Sequence, residues 1–228
     1  MSPRTYGELC LVSRSLDIIG ERWTLLVIRE LILGPKRFSD LLERLPTMGT
    51  NRLSSRLTSL RAGGIVERIT LEAPKHGAVY RLSPLGEGLR PVVFELARWG
   101  ALLPIDGSAA DSRIRAELIA LGLAAAAPPE SFAGLNEAYE FRIDDEYFSI
   151  AVDGSPGGAV TAQTGASASP PAVTMTATVD EFLDVLSGQP TPSTVVLVGD
   201  VEAQRRMLDF LVKAATGIVP PRSGGSAG

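Results

Sequence analysis

The stretch TNRLSSRLTSLRAGG, residues 50–64, decides the fold of the N-terminal half of this chain. Leu53, Leu57 and Leu60 recur at helical spacing, which predicts one apolar helix face directed at a core. Thr50 offers a hydroxyl suited to the N-cap, and the Gly-Gly pair at the other end stops the helix. The segment is therefore predicted to be an amphipathic helix.

The opposite side of this helix is polar and carries no acidic residue. A solvated surface helix, which is the alternative, usually mixes charges of both signs, whereas arginine, asparagine and hydroxyl groups suit phosphates and base edges. We therefore interpret the segment as a recognition helix. Its predicted DNA-contacting residues are Thr50, Asn51, Arg52, Ser54, Ser55, Arg56 and Ser59.

Two helices are predicted upstream. An apolar helix over residues 23–33 ends at a Gly-Pro pair, and a short helix over residues 40–45 follows with Ser39 as its N-cap. Two short helices joined by a tight turn, the second of them cationic, are typical of a helix-turn-helix. Lys36 and Arg37 either compensate the dipole of the first helix or contact phosphate.

Beyond the recognition helix, the hydrophobic pattern changes from a helical to an alternating period. Residues 65–69 and 79–82 are predicted strands, and a turn with proline and glycine separates them. A hairpin in this place is a wing, and Lys75 and His76 at its tip are further candidates for DNA contact, with plain solvent exposure as the alternative.

Ser83 and Pro84 open another helix, whose apolar surface exceeds what a small winged domain needs for its own core. We predict a homodimer interface here, since a two-fold protein reads the two halves of a roughly two-fold operator in double-stranded DNA. The predicted interface residues are Leu89, Val92, Val93, Leu96, Trp99 and Leu103.

Residues 10–103 resemble the HxlR-type winged helix-turn-helix transcriptional regulators. The matching stretches are LDIIGERWTLLVIRELILGPKRFSDLLERLP, NRLSSRLTSLRAGGIVERI, YRLSPLGEGL and ELARWG. The resemblance implies a dimeric bacterial transcription factor with its recognition helix at residues 50–61, its wing at residues 70–79 and a terminal dimerisation helix. Leu11 departs from the family, which often has proline after the cysteine.

Cys10 stands where some regulators of this type carry a redox-sensing thiol. Arg14, four residues later, would favour the thiolate if the segment is helical. Redox sensing is therefore one interpretation of Cys10, and a small buried hydrophobic residue is the other.

The charge of the chain is divided unevenly. The net charge of −4 argues against a nucleic-acid binder, but residues 1–104 carry +5 and residues 105–228 carry −9. One cysteine and one histidine argue against a disulfide framework, a cysteine- or histidine-based metal site and a Ser-His-Asp triad. Without an apolar stretch of 18 residues or a signal core, we expect a cytoplasmic protein with no membrane partner.

The acidic half is predicted to be a separate α+β domain over residues 113–218, with a linker at 105–112 and a disordered tail at 219–228. The fold class is thus a mainly α winged helix-turn-helix domain, residues 1–104, followed by an α+β domain with a roughly five-stranded sheet. The predicted strands are 138–143, 147–152, 159–163, 173–178 and 195–198, and the predicted helices are 113–127, 181–188 (capped by Asp180) and 202–215.

This second domain is similar to the sterol-carrier-protein-2-like domains in YEFRIDDEYFSIAVDG, PAVTMTATVDEFLDVLSGQ and VGDVEAQRRMLDFL. The resemblance implies an apolar cavity for a lipid or another hydrophobic small molecule, and a closed core is the alternative. The loop TGASASPP departs from the pattern of these domains. The candidate cavity residues are Phe141, Phe148, Met175, Phe182, Leu186, Met207 and Phe210.

The leading hypothesis is a DNA-binding transcriptional regulator whose second domain binds an apolar effector or adds dimer contacts. One alternative is a lipid or small-molecule binding protein in which DNA binding is secondary, and another is a regulator that senses redox state through Cys10. We expect no enzymatic activity, cofactor or metal, because the sequence has no nucleophile elbow, P-loop or dinucleotide fingerprint.

Overall fold

A computed structural model describes residues 5–71, 77–103, 114–128 and 132–216 of the chain. The chain separates into two compact units, Met1–Val93 and Phe94–Gly228. The division falls inside a helix and not at residue 104, where the sequence placed the domain boundary. The predicted linker, 105–112, and the predicted tail, 219–228, lie outside the described residues.

The first unit is mainly helical with one hairpin, as predicted. Its elements are α1 (Leu11–Ile19), α2 (Thr24–Ile32), α3 (Phe38–Arg44), α4 (Thr50–Ala62), β1 (Val66–Leu71), β2 (Gly77–Leu82), α5 (Pro84–Glu87) and the start of α6 (Arg90–Gly100). Leu53, Leu57 and Leu60 of α4 are buried, which confirms the predicted core face. β1 and β2 pair antiparallel, so the predicted hairpin directly follows α4.

Two predicted helix boundaries are confirmed by their backbone geometry. After α2, Gly34 has a φ of 110°, a conformation that favours glycine. At α5, the Ser83 hydroxyl accepts a hydrogen bond of 3.0 Å from the backbone N–H of Gly86, and Pro84 occupies the first turn. The helix that Ser83 opens ends after one turn at Gly88, and α6 begins separately at Arg90.

Three predicted N-caps are wrong, each because another residue begins the helix. Gly49, with a φ of 76°, precedes α4, so Thr50 is already helical. Ser39 lies within α3, whose first turn is closed by the Asp40 carboxylate on the backbone N–H of Arg37, at 2.9 Å.

The third case is in the second unit, where Thr178 and not Asp180 begins the helix. The hydroxyl of Thr178 accepts from the backbone N–H of Glu181 at 3.3 Å, and the Glu181 carboxylate accepts from the backbone N–H of Thr178 at 2.8 Å. This reciprocal capping box satisfies two otherwise unpaired donors, which a single Asp180 cap would not do.

The second unit is an α+β domain with a five-stranded sheet. Its elements are α7 (Ala116–Ala126), β3 (Asn136–Ile143), β4 (Glu146–Asp153), β5 (Val160–Thr164), β6 (Val173–Ala177), α8 (Val179–Leu186), β7 (Val196–Gly199) and α9 (Val201–Ala215). The strand order is β5-β4-β3-β6-β7, in which β3 and β6 are parallel and the other pairs antiparallel. All five predicted strands are present within one or two residues of the expected bounds.

The two faces of this sheet differ, because side chains alternate along each strand. Phe141 of β3 lies on the face where the Phe182 ring of α8 packs, at 5.8 Å between ring centroids. Glu140 points the other way, and its carboxylate accepts a hydrogen bond of 3.0 Å from the backbone N–H of Ser167. The loop TGASASPP, which connects edge strand β5 to β6 beyond β3, therefore crosses the face opposite Phe141.

Candidate nucleic-acid interface

The α4 helix presents the polar surface that the sequence predicted. Thr50, Asn51, Arg52, Ser54, Ser55 and Ser59 are all exposed, and Arg56 is half-buried. Asn51 and Ser55 are one turn apart on the side away from the buried leucines. The exposed side of α4 thus offers hydrogen-bond donors and positive charge without any carboxylate of its own.

The hydroxyl groups of this surface are not equivalent. The Ser59 hydroxyl donates to the backbone oxygen of Ser55 at 3.1 Å, and the Thr58 hydroxyl donates to the oxygen of Ser54 at 2.9 Å. A phosphate oxygen only accepts, so Ser59 would have to give up its bond within the helix to donate to a phosphate.

Arg56 differs from the other predicted contacts because it has a carboxylate partner. Its Nη2 lies 3.3 Å from Oε2 of Glu21, in the turn between α1 and α2. The side chain of Arg56 is 17% exposed and that of Glu21 is 59% exposed. The sequence prediction of an acid-free surface holds for α4 itself but missed this acid from another segment.

Lys36 and Arg37, adjacent in sequence, occupy different environments. Lys36 is buried, and its Nζ donates to the backbone oxygens of Leu33 and Gly34, each at 3.3 Å. It therefore compensates the C-terminal end of α2, which was the alternative to phosphate contact. Arg37 is exposed, and its guanidinium lies beside Gly77, the first residue of β2.

A buried carboxylate that the sequence analysis missed joins the two helices before α4. Glu30 of α2 is fully buried, and its oxygens lie 2.6 Å from Nη2 of Arg29 and 4.0 Å from Nη1 of Arg44 in α3. Its position three residues after the buried Val27 is the signal that would have placed it on the core face. The ion pairs help to fix α3 relative to α2.

The hairpin contributes cations that the sequence analysis did not single out. Arg68 on β1 is exposed and lies opposite Tyr80 of β2, and Arg61 is exposed in the last turn of α4. The predicted wing contacts, Lys75 and His76, lie outside the described residues.

The predicted dimer residues fall into two groups. Val93 is buried within its own chain, and Leu89 is half-buried. The other four are Val92, Leu96, Trp99 and Leu103, which are 40%, 44%, 60% and 49% exposed. Their spacing places them on one side of α6 and its C-terminal turn, and we call them the α6 stripe. Helix α1 likewise has no buried residue, although it carries several apolar side chains.

The predicted ligand-pocket residues form a packed core. All seven are at most 7% exposed. Phe141 and Phe148 stack with ring centroids 5.1 Å apart, and Phe182 lies 6.1 Å from Phe148. A cavity of about 340 Å³ in the second unit lies elsewhere, and its lining contains none of these seven residues. It is lined by Ile114, Ala116, Ile143, Asp144, Asp145, Glu146 and Val179.

Cys10 is exposed and directly precedes α1, so the buried-hydrophobe interpretation is wrong. The backbone N–H groups of Ser13 and Val12 and the Ser13 hydroxyl lower the pKa of the Cys10 thiol below its ordinary value. None of these contacts reaches the geometry of a full capping hydrogen bond. The sequence suggested Arg14 as the cause of a lowered pKa. The groups that lower the pKa of Cys10 are instead those of Val12 and Ser13 in the first turn of α1.

Across residues 5–71, 77–103, 114–128 and 132–216, no three His, Cys, Asp or Glu side chains are grouped so that they could hold a metal ion. No helix in these ranges combines the length and the apolar character needed to cross a membrane.

The family match to known proteins lies in the N-terminal part of the chain. A family model for HxlR-like helix-turn-helix proteins matches residues 18–104. YvaP of Bacillus subtilis, an uncharacterized HTH-type transcriptional regulator, is 31% identical over 94 residues, which cover 41% of this chain and 87% of YvaP. The HTH-type transcriptional regulator YodB of Bacillus subtilis is 34% identical over 85 residues, which cover 37% of this chain and 76% of YodB.

Rv3095 of Mycobacterium tuberculosis, an uncharacterized HTH-type transcriptional regulator, is 38% identical over 104 residues. The match covers 44% of this chain and 61% of Rv3095. Among solved structures, the redox regulator HypR in its oxidized form is 30% identical, with a TM-score of 0.40. That match covers 42% of this chain and 100% of HypR.

Proposed function

Because this chain belongs to the family of HxlR-like helix-turn-helix transcriptional regulators, we propose that it is a homodimer that binds a roughly two-fold operator in double-stranded DNA. The observation that carries the proposal is the exposed, acid-free face of α4, with Asn51 and Arg52 in its first turn. Arginine donates bidentately to guanine and asparagine pairs with adenine, so this face has the groups that direct readout needs.

The α6 stripe supports the homodimer. Four large apolar side chains at helical spacing, each at least 40% exposed, are costly to leave in water. A two-fold interface uses the same surface on both copies, which one amphipathic helix can provide. Pairing would also present two α4 helices to two half-sites.

Replacing Arg52 with alanine should weaken operator binding by about 1–3 kcal/mol if the guanidinium contacts a base. Arg52 is exposed and has no ion-pair partner within the part of the chain that the structure describes, so the effect would come from lost DNA contact and not from unfolding. The measurement is the dissociation constant, at fixed salt, for a duplex selected by the full chain from a random pool.

The matched control is Arg205→Ala, which removes the same charge from the exposed surface of α9. It should leave the affinity and its salt dependence unchanged. If Arg52→Ala and Arg205→Ala bind the selected duplex equally well, α4 is not the recognition helix.

For the second unit, we propose a regulatory role through an apolar effector, which rests on the sequence resemblance to sterol-carrier-protein-2-like domains. The seven predicted pocket residues are at most 7% exposed, so they would have to move apart to admit an effector. An effector changes DNA binding only if it binds the DNA-competent and incompetent states with different affinity. Native mass spectrometry of the purified protein, with a DNA shift assay, tests this. A copurified lipid without DNA affinity would favour a lipid-binding protein instead.

A second candidate function, redox regulation, is favoured by the exposed thiol of Cys10 and its lowered pKa. The thiolate is the reactive form, so a thiol with a lowered pKa reacts at lower pH than an ordinary one. We expect the rate at which iodoacetamide alkylates the protein to rise with pH, with a midpoint at lower pH than that of an ordinary cysteine thiol. Since Cys10 is the one cysteine of the chain, Cys10→Ser is the blank for this measurement.

Regulation itself is tested by comparing operator affinity before and after treatment with a peroxide. A loss or gain of affinity in the wild type that is absent in Cys10→Ser supports redox control. Equal behaviour of the two proteins would leave Cys10 without a sensing role.

A further inference from the structure

Glu21 is an acidic residue beside a surface proposed to bind a polyanion. It lies in the turn between α1 and α2, where its backbone oxygen accepts from the N–H of Thr24 at 2.9 Å. Its carboxylate faces the middle of α4, where Oε2 is 3.3 Å from Nη2 of Arg56. Within the described ranges, each of these two side chains has the other as its sole ion-pair partner.

The two ends of this ion pair are unequally accessible. Arg56 stands on the flank of α4, between the buried leucines and the solvent-facing side, and is 17% exposed. Glu21 is 59% exposed. An exposed carboxylate this close to α4 repels the phosphates of DNA. Glu21 therefore weakens DNA binding unless its contact with Arg56 brings a compensating benefit.

The pairing limits where the guanidinium of Arg56 can go. A free arginine on this flank could reach phosphates, which carry no sequence information directly. With one nitrogen held by Glu21, the group keeps further N–H donors in a fixed plane, and a guanine edge offers two acceptors, O6 and N7, for such a fork. A phosphate would also have to approach the Glu21 carboxylate.

We propose that Glu21 is a positioning residue that determines specificity: it holds Arg56 for a guanine edge and keeps it away from phosphates. The inference rests on the proposed DNA binding through α4. On this inference, Glu21 increases the discrimination between DNA sequences and decreases the affinity for non-specific DNA.

The test uses Glu21→Gln in the full chain, with two duplexes of equal length and composition. One is selected by the wild type from a random pool, and the other is its scrambled version. We expect the variant to bind the scrambled duplex more tightly and the ratio of the two affinities to fall about tenfold. For the scrambled duplex, the slope of log K against log salt should steepen by about 0.9 for the phosphate that Arg56 newly neutralises.

Glu87→Gln is the matched control, because it removes one negative charge from another arginine-paired, exposed carboxylate of the first unit, 2.7 Å from Arg90. The ratio of its affinities for the selected and the scrambled duplex should equal that of the wild type. In an Arg56→Ala background, Glu21→Gln should no longer change the ratio, since its effect acts through Arg56. A general electrostatic role would persist in that background.

The inference is overturned if Glu21→Gln leaves the ratio unchanged, or lowers it equally with and without Arg56. Loss of binding in Arg52→Ala together with an unchanged ratio in Glu21→Gln would remove this inference and leave the proposed function standing. A wild type that does not prefer any selected duplex would remove both.

Discussion

Replacing Leu96 with aspartate should convert the protein to a monomer and weaken operator binding by about 100- to 10,000-fold, the range by which linked binding sites exceed single ones. Leu96 is at the centre of the α6 stripe and is 44% exposed in the single chain. In a two-fold interface the substitution introduces a carboxylate on both copies, and each would have to lose its water. Light scattering gives the mass, and titration with the selected duplex gives the affinity.

Val198→Asp is the control for this experiment. Val198 is an exposed apolar residue of β7, outside the α6 stripe. Its substitution changes charge and hydropathy in the same way, yet should leave mass and affinity as in the wild type. A Leu96→Asp protein that stays dimeric, or a wild type that is already monomeric while bound to the operator, would exclude α6 as the dimer interface.

Replacing Phe141 with alanine should destabilise the second unit by about 3–5 kcal/mol, the usual cost of removing a large buried aromatic side chain. Phe141 is fully buried, stacks on Phe148 and meets the Phe182 ring, so its removal leaves a void that three packed elements must accommodate. The loss is measured from the hydrogen exchange of the β3 and β4 amides, which reports on this unit separately from the first.

This experiment also separates a packed core from a ligand cavity. Val198→Ala, which truncates an exposed side chain of the same sheet, should cost little stability. A comparably small effect of Phe141→Ala would mean that the ring lines an open space. That result would favour a ligand cavity at this position, as predicted from the sequence, over a packed core.

The parts of the fold that could be predicted from sequence depend on local rules. The spacing of Leu53, Leu57 and Leu60 defined α4, and Ser83 followed by Pro84 defined the start of α5, because helical periodicity and capping involve neighbours in the chain. The N-cap at Asp180 was wrong for a related reason. Several residues in one stretch can cap a helix, and backbone geometry chooses among them.

The parts of the site that escaped prediction depend on residues distant in sequence. Glu21 and Arg56 are 35 positions apart, and no local sequence pattern predicts that they form an ion pair. Glu30 had a local signal in its helical spacing, but its partner Arg44 lies on another helix. The burial of Lys36 on the end of α2 likewise depends on how the chain turns after that helix.

By itself, the sequence determined the order of helices and strands, the polar character of α4 and the resemblance that identified the family. These follow from periodicity, turn residues and composition, which are properties of neighbouring residues. Tertiary structure alone decided that Arg56 is held by a carboxylate, that Val93 is buried and that the seven predicted pocket residues are buried as well. Whether a side chain is free, paired or buried depends on segments far along the chain, and their positions are fixed only when the chain packs.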